Sequence, residues 1–190
     1  RNIDSNLQGH PDMNKVPGVD MTTGSLGQGL SVANGMALSS KLDSRGYRVY
    51  CILGDGELQE GQVWEAAMTA EKYQLDNLCV IIDANELQLT DTTINQNDIE
   101  QKFRAFGFQT VVIDGHNIES IIRALTIAEM TKGKPTAIIC KTIKGKGVSF
   151  MENQIDWHGK APNDEEYKIA MQELKQEAEK IQEKITNREV

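Results

Sequence analysis

The chain has 190 residues, of which 39% are hydrophobic and 25% are charged, values typical of one soluble globular domain. Its formal net charge of −8 argues against a nucleic acid partner, because phosphate recognition requires a basic surface. No apolar run approaches the roughly 20 residues of a membrane span, and no signal-peptide pattern is present. The first methionine is Met13, so we expect further residues upstream of this single domain, residues 1–190.

Short apolar runs alternate along the chain with patterns typical of helices. Predicted helices span 27–43, 62–73, 98–106, 117–130 and 164–187, and predicted strands span 48–53, 78–83, 108–114 and 135–142. Asn117 or Asp114 supplies a start signal for the fourth helix. Because the strands are near-continuous apolar runs, we predict an α/β fold, a doubly wound parallel sheet with helices on both faces.

Two of the predicted helices carry an apolar face. In helix 62–73 this face comprises Val63, Ala66, Ala67 and Ala70. In the C-terminal helix, 164–187, it comprises Ile169, Leu174, Ala178, Ile181 and Ile185. We expect the C-terminal stripe to pack against the body of the domain, because it is too short for the sustained heptads of a coiled coil.

The three cysteines each lie in an apolar, β-branched run. They are Cys51, Cys79 and Cys140, an odd number at wide spacing that fits neither a disulfide framework nor a CxxC metal site. We therefore predict buried, reduced thiols, which are typical of a cytoplasmic protein.

Polar residues follow two neighbouring predicted strands. "GDGELQEG" (54–61) follows strand 48–53, and "DANELQLT" (83–90) follows strand 78–83. Ligands of open α/β sheets bind at the carboxyl ends of strands, where Asp55, Asn85 and a nearby main-chain carbonyl offer the oxygen ligands that Mg²⁺ prefers. The alternative is that Asp55 belongs to a simple turn. Neither a GxGxxG fingerprint nor a GxxxxGK[ST] P-loop is present.

Three further features allow a structural as well as a functional interpretation. "TTGSLGQGL" (22–30) is either a tight helix-packing site or a loop that cradles a ligand. A glycine loop is flanked by Lys141, Lys144 and Lys146. These lysines are either solvated or positioned to attract anions. His116 is expected to be a turn residue before helix 117–130.

Five segments in order together resemble transketolase. They are "GHPD" (9–12), "TTGSLGQGL" (22–30), "GDGELQEGQVWEA" (54–66), Asn85 thirty positions after Asp55, and "WHGKAP" (157–162). GDG followed by Asn is the shared thiamine diphosphate motif, whereas "LQEG" and "TTGxLGQG" distinguish transketolase from pyruvate-dehydrogenase-type enzymes. The resemblance covers only the diphosphate-binding domain, as in the N-terminal subunit of a split transketolase.

The resemblance implies a cofactor site. Asp55, Asn85 and the main-chain oxygen of Leu87 would ligate Mg²⁺ or Ca²⁺. The residues implied in contact with thiamine diphosphate are Gly54 and Gly56 at the diphosphate, Gly24, Ser25 and Leu26 at the rings, Asn85, and His158. The family often has Pro at the position of Ser25, a change that a backbone contact would survive.

The resemblance also implies three catalytic residues. His158 would touch both the cofactor diphosphate and the reacting sugar, and His10 would hydrogen-bond the donor sugar near its carbonyl. Glu60 would belong to a proton relay between the two active sites of the dimer. The alternative for Glu60 is a surface glutamate at a helix start, where the helix dipole favours it.

The implied reaction is the transfer of a two-carbon ketol unit from a ketose phosphate to an aldose phosphate, as in the pentose phosphate pathway. The implied partner is a C-terminal transketolase subunit carrying the pyrimidine-binding domain, in a dimer of heterodimers, so the chain alone would be inactive. One alternative is another thiamine diphosphate enzyme, of the 2-oxoacid dehydrogenase or 1-deoxyxylulose-5-phosphate synthase type. The other is a non-catalytic partner-binding domain.

Overall fold

A computed structural model describes residues 4–88 and 98–187, and in them four parallel strands form one sheet. The strands are β1 (Val49–Gly54), β2 (Leu78–Ala84), β3 (Gln109–Asp114) and β4 (Thr136–Lys141), in the order β1-β2-β4-β3. The helices are α1 (Gln28–Leu42), α2 (Gly61–Lys72), α3 (Ile99–Ala105), α4 (Ile118–Met130) and α5 (Asp164–Thr186). Each predicted element is confirmed, with its bounds displaced by at most one residue.

The path of the chain places helices on both faces of the sheet. From β1 to β3 the chain crosses the sheet in one direction, and it then returns to insert β4 between β2 and β3. Because parallel crossovers are right-handed, the return places α4 on the face opposite α2 and α3. The doubly wound α/β prediction is confirmed.

The larger core lies between the sheet and helices α1, α2 and α3. The predicted face of α2 is confirmed, since Val63, Ala66, Ala67 and Ala70 are all buried in this cluster. A smaller cluster beneath α4 contains Ala124 and Ala128. All three cysteines are buried and free, as predicted. The side chain of Asn117 caps α4 by accepting the N–H of Ser120 at 2.9 Å, which confirms one of the two predicted start signals.

Coverage of the second face is incomplete at the edge strand β1. Tyr50 and Ile52 point away from the larger core and are exposed, Ile52 to 73%. The helix on that face, α4, packs on β3 and β4 instead. Within the described residues, β1 therefore carries exposed apolar side chains on this face of the sheet.

The C-terminal stripe does not pack against the body as expected. Ala170 is the buried residue of α5, whereas Ile181 and Ile185 are 49% and 53% exposed, and Ile169, Leu174 and Ala178 are exposed too. The helix is tied to the preceding loop near its first turns, where the Glu173 carboxylate accepts the N–H and hydroxyl of Ser149. Apolar residues at helical spacing show that one face of a helix can pack against another surface, but they do not show which surface that is. None of the described helices is long and apolar enough to span a membrane.

Candidate functional site

The carboxyl ends of β1 and β2 bring Asp55 close to the turn that contains Asn85. Gly54 pairs with Asp83 across the two strands, and the N–H of Asp55 donates to the Asp83 carbonyl at 3.1 Å. Asp55 is only 1% exposed. Its Oδ1 accepts the N–H of Gly56 at 2.8 Å, and its Oδ2 accepts the N–H of Glu86 at 2.6 Å. The carboxylate therefore joins the two turns.

The surroundings of Asp55 act on its charge in opposite directions. Burial raises its pKa, and the nearby Asp83 carboxylate raises it further, while backbone N–H groups of Glu86, Gly56 and Asn85 lower it. The net pKa lies above the ordinary value because desolvation has the largest effect. A buried carboxylate with a second carboxylate nearby is an environment that a bound cation stabilises.

The amide of Asn85 is oriented by two hydrogen bonds. Its Nδ2 donates to Asp83 Oδ1 at 3.5 Å, and its Oδ1 accepts the N–H of Leu87 at 3.0 Å. Asp83 in turn accepts the hydroxyl of Thr142 at the end of β4. The turn is strained, because Glu86 has a φ of +65°, a left-handed conformation unfavourable for a glutamate. A strained backbone conformation of this kind persists only where the surrounding contacts fix it.

The donor set at this edge fits a hard divalent cation. Within residues 4–88 and 98–187, no group of three or more His, Cys, Asp or Glu side chains is arranged to hold a metal ion. A cation here would therefore depend on one carboxylate, an amide oxygen and a carbonyl, with phosphate oxygens completing its coordination, as Mg²⁺ permits. Beside Gly54 an added Cβ would meet open space, so a ligand can approach the chain from that side.

The glycine-rich segment 22–30 contacts the turn 54–61 that follows β1. A Cβ added at Gly24 would lie 3.0 Å from the imidazole Cγ of His10, so these two predicted site residues are in contact. Ser25 and Leu26 are exposed. Gly27, with a φ of +83°, leaves no room for a side chain, because an added Cβ would lie 2.9 Å from the Cβ of Glu60. The structure thus joins His10 to Gly24, and Glu60 to the same segment.

Two side chains that connect these segments were not predicted as site residues. Asp83 orients Asn85, and its position two residues before Asn85 at the end of a strand was an available signal. The carboxylate of Glu57 accepts the N–H of Gly27 at 2.8 Å and that of Gly54 at 3.2 Å. No sequence signal marks Glu57, since its role depends on a contact between residues 30 positions apart.

His158 lies on a separate surface turn. It ends a 3₁₀ turn, Ile155–His158, and is exposed. The turn is held by Trp157, whose Nε1 donates to the Phe150 carbonyl at 3.0 Å and whose ring lies 5.2 Å from the Phe150 ring, centroid to centroid. In the part of the chain that the structure describes, no hydrogen bond joins His158 to another predicted site residue.

The remaining predicted residues lie around the loop that follows β4. His116 is a turn residue before α4, as predicted, and its Nε2 accepts the N–H of Ile143 at 2.8 Å. Lys146 lies 3.8 Å from the Glu152 carboxylate, and Lys141 is exposed. Lys141 thus ends β4 in contact with solvent, and Lys146 lies on the loop beside an acidic partner.

Comparison with known proteins identifies the family. A family model described as "Transketolase, thiamine diphosphate binding domain" matches residues 1–187. The chain belongs to this family. An apulose-4-phosphate transketolase subunit of Phocaeicola vulgatus is 42% identical over 93% of this chain and 63% of its own length. A 6-deoxy-6-sulfo-D-fructose transketolase subunit of a Clostridium species is 45% identical over 90% of this chain and 63% of its own length.

Solved structures agree with this assignment. The transketolase of Campylobacter jejuni superposes with a TM-score of 0.84 at 34% identity, over 92% of this chain and 29% of that protein. This chain spans 63% of the length of each curated relative named above, which is less than two thirds. The relatives are transketolases or transketolase subunits, which supports the transketolase interpretation over other thiamine diphosphate enzymes. The transketolase-family chain is a thiamine diphosphate-binding domain.

Proposed function

We propose that this domain is the N-terminal, diphosphate-binding subunit of a split transketolase. It would transfer a two-carbon ketol unit from a ketose phosphate to an aldose phosphate, in pentose phosphate metabolism of the cytoplasm. The observation that carries this proposal is the buried Asp55 at the end of β1, hydrogen-bonded to the turn of Asn85, in a transketolase-family chain. Three buried, free thiols support the cytoplasmic location.

The proposed metal site consists of Asp55, Asn85 and the main-chain oxygen of Leu87, which would hold Mg²⁺ or Ca²⁺. A cation at this position offsets the cost of burying Asp55, and it neutralises the cofactor's phosphate charge. Gly54 and Gly56 would present backbone to the diphosphate, and Gly24, Ser25 and Leu26 would line the cofactor rings. When bound, thiamine diphosphate supplies the carbanion that the protein positions and stabilises.

The residues proposed for catalysis differ in how firmly they are held. His10, in contact with Gly24, would hydrogen-bond the donor sugar beside the cofactor rings. His158 would reach the diphosphate and the sugar from the turn at 155–158. Both side chains are imidazoles, whose ring nitrogens can hydrogen-bond to a developing alkoxide and can move protons. Glu60, at the start of α2 and against Gly27, would carry the proton relay toward a second active site.

A second polypeptide is part of the proposal. Two relatives are named as transketolase subunits, and this chain spans 63% of each of them. We propose a C-terminal subunit that carries the pyrimidine-binding domain, assembled with this chain as a dimer of heterodimers. The chain alone then holds half of each active site.

The test is a two-carbon transfer assay with xylulose 5-phosphate and ribose 5-phosphate, in the presence of Mg²⁺ and thiamine diphosphate. The protein is assayed alone and then with its co-purifying partner. Activity only with the partner is the expected result. Parallel assays with apulose 4-phosphate and 6-deoxy-6-sulfofructose examine the sugars in the relatives' names. Robust turnover by the single chain contradicts the split arrangement, and turnover of 2-oxoacids instead contradicts the transketolase assignment.

A further inference from the structure

Glu57 lies between the two glycine-rich segments of the site, in the 3₁₀ turn Gly56–Gln59. We infer that Glu57 is a positioning residue that fixes segment 22–30 against the end of β1. It thereby sets the place of Gly24, Ser25 and Leu26 relative to Asp55. The inference rests on the proposed function, because those residues are proposed to contact the rings and metal of one cofactor.

The carboxylate of Glu57 makes one hydrogen bond to each segment. Its Oε1 accepts the N–H of Gly27, and its Oε2 accepts the N–H of Gly54, at 2.8 and 3.2 Å. The side chain is partly buried, and both donors are main-chain groups, so movement of either segment would break a charge-assisted hydrogen bond. Only a side chain with two acceptor oxygens satisfies both donors at once.

Close packing beside this carboxylate leaves the segments little freedom to separate. Gly27 has left-handed backbone and lies against Glu60, where an added Cβ would be 2.9 Å from the Glu60 Cβ. Three residues earlier, Gly24 lies under the ring of His10. The segment is thus held at Gly27 by the 54–61 turn and at Gly24 by His10, with the exposed Ser25 and Leu26 between these two points.

The same carboxylate occupies the beginning of α1. Gly27 is the residue that precedes this 15-residue helix, and its N–H is among the groups that give a helix start its partial positive charge. Because Glu57 already accepts that N–H, the N–H of Gly27 is not available to the phosphates of the cofactor.

The experiment measures the hydrogen bonds and cofactor binding separately, in the enzyme assembled with its partner subunit. Glu57→Ala removes both acceptors, and Glu57→Gln keeps one acceptor with nearly the same shape. Hydrogen–deuterium exchange is followed in peptides covering 22–30 and 49–56. Thiamine diphosphate affinity with Mg²⁺ is measured by calorimetry. Glu119→Gln, an exposed carboxylate on α4 whose side chain is 81% exposed, is the matched control.

We expect Glu57→Ala to speed exchange in both peptides and Glu57→Gln in at least one, each by about tenfold or more. Affinity should fall in the order native, Gln, Ala, by about tenfold in total, while kcat at saturating cofactor stays within about twofold. A residue that only stabilised the fold would leave affinity unchanged once the protein is folded. The control should change neither readout.

Three results would overturn the inference. Unchanged exchange in both peptides would show that the hydrogen bonds do not hold the segments. Faster exchange with unchanged cofactor affinity would show that cofactor binding does not depend on the segments that these hydrogen bonds hold. If Glu57→Ala does not fold, the same two readouts on Glu57→Gln decide the matter. No thiamine diphosphate binding by the native assembled enzyme would instead refute the proposed function and the cofactor part of this inference, while exchange still reports on the hydrogen bonds.

Discussion

Asp55 and His158 are held by different parts of the molecule in different ways. Asp55 directly follows strand β1 of the parallel sheet, and its carboxylate accepts backbone N–H groups from two turns. His158 ends a surface turn in which Trp157 packs on Phe150, donates a hydrogen bond to the Phe150 carbonyl and lies under the Lys160 ammonium group. The end of a strand therefore fixes Asp55 through main-chain hydrogen bonds, whereas a residue on a long loop depends on its immediate neighbours.

The largest effect that we predict is at the strand end. Asp55→Ala should weaken Mg²⁺-dependent thiamine diphosphate binding by about 100-fold or more, because it removes the charged ligand of the proposed metal site. Calorimetry with Mg²⁺ and with EDTA measures the change, and circular dichroism verifies the fold. Asp114→Ala, a carboxylate at the same edge of the sheet but on β3, is the control. Equal affinity for Asp55→Ala and the native protein would exclude the metal assignment.

On the loop side, Trp157→Ala should release the turn that carries His158. We expect kcat/KM of the assembled enzyme to fall by about tenfold, with faster hydrogen exchange in residues 150–160. Trp157→Phe keeps a ring against Phe150 but loses the N–H donor. Its kcat/KM should therefore lie between the values of the native enzyme and Trp157→Ala. Faster exchange without any loss of kcat/KM would remove His158 from the reaction.

Substitutions at two glycines test the packing of α1 and of the segment before it. Gly27 directly precedes the helix, and Gly35 lies within it. Gly27→Ala should lower the free energy of unfolding by about 1–3 kcal/mol, because φ is +83° and the new Cβ meets Glu60. Chemical denaturation measures this value. A change below a few tenths of a kcal/mol would mean that the segment moves easily, contrary to the tight contact described.

Gly35→Ala is the converse substitution, within α1. Nothing lies within 4 Å of an added Cβ there, and the backbone is helical, so the alanine should stabilise the protein by about 0.5–1 kcal/mol. The same denaturation experiment measures it. Destabilisation would indicate that the outer face of α1 is more crowded than the structure shows.

The smallest expected effect is on α5. Ile181→Gln and Ile185→Gln should each change the free energy of unfolding by no more than about 0.5 kcal/mol, because both side chains are half-exposed. Leu30→Ala, at a fully buried position on α1, should by contrast cost about 2–5 kcal/mol. A large loss from either isoleucine would restore the packed arrangement that the apolar stripe predicts.

The sequence predicted what depends on local pattern. Apolar periodicity located every strand and helix, and an Asx residue before an apolar run located the start of α4. The placement of Asp55 and Asn85 at one edge also followed, because parallel strands end together. Glu57 and the strained Glu86 could not be predicted, since both depend on how distant turns meet. The destination of the α5 stripe was wrong because periodicity carries no information about which surface covers a face.

The small cluster under α4 has a consequence for the order in which the domain opens. This helix buries Ala124 and Ala128 and packs Leu125 partly against the sheet, while Ile118, Ile122 and Met130 are exposed, so its apolar contact is smaller than that of the α1–α3 side. We expect α4 to detach and re-dock in excursions far more frequent than global unfolding, while the α1–α3 side stays closed. Such excursions would uncover Cys79 and Cys140 before Cys51, so the thiols would become reactive in sequence rather than together.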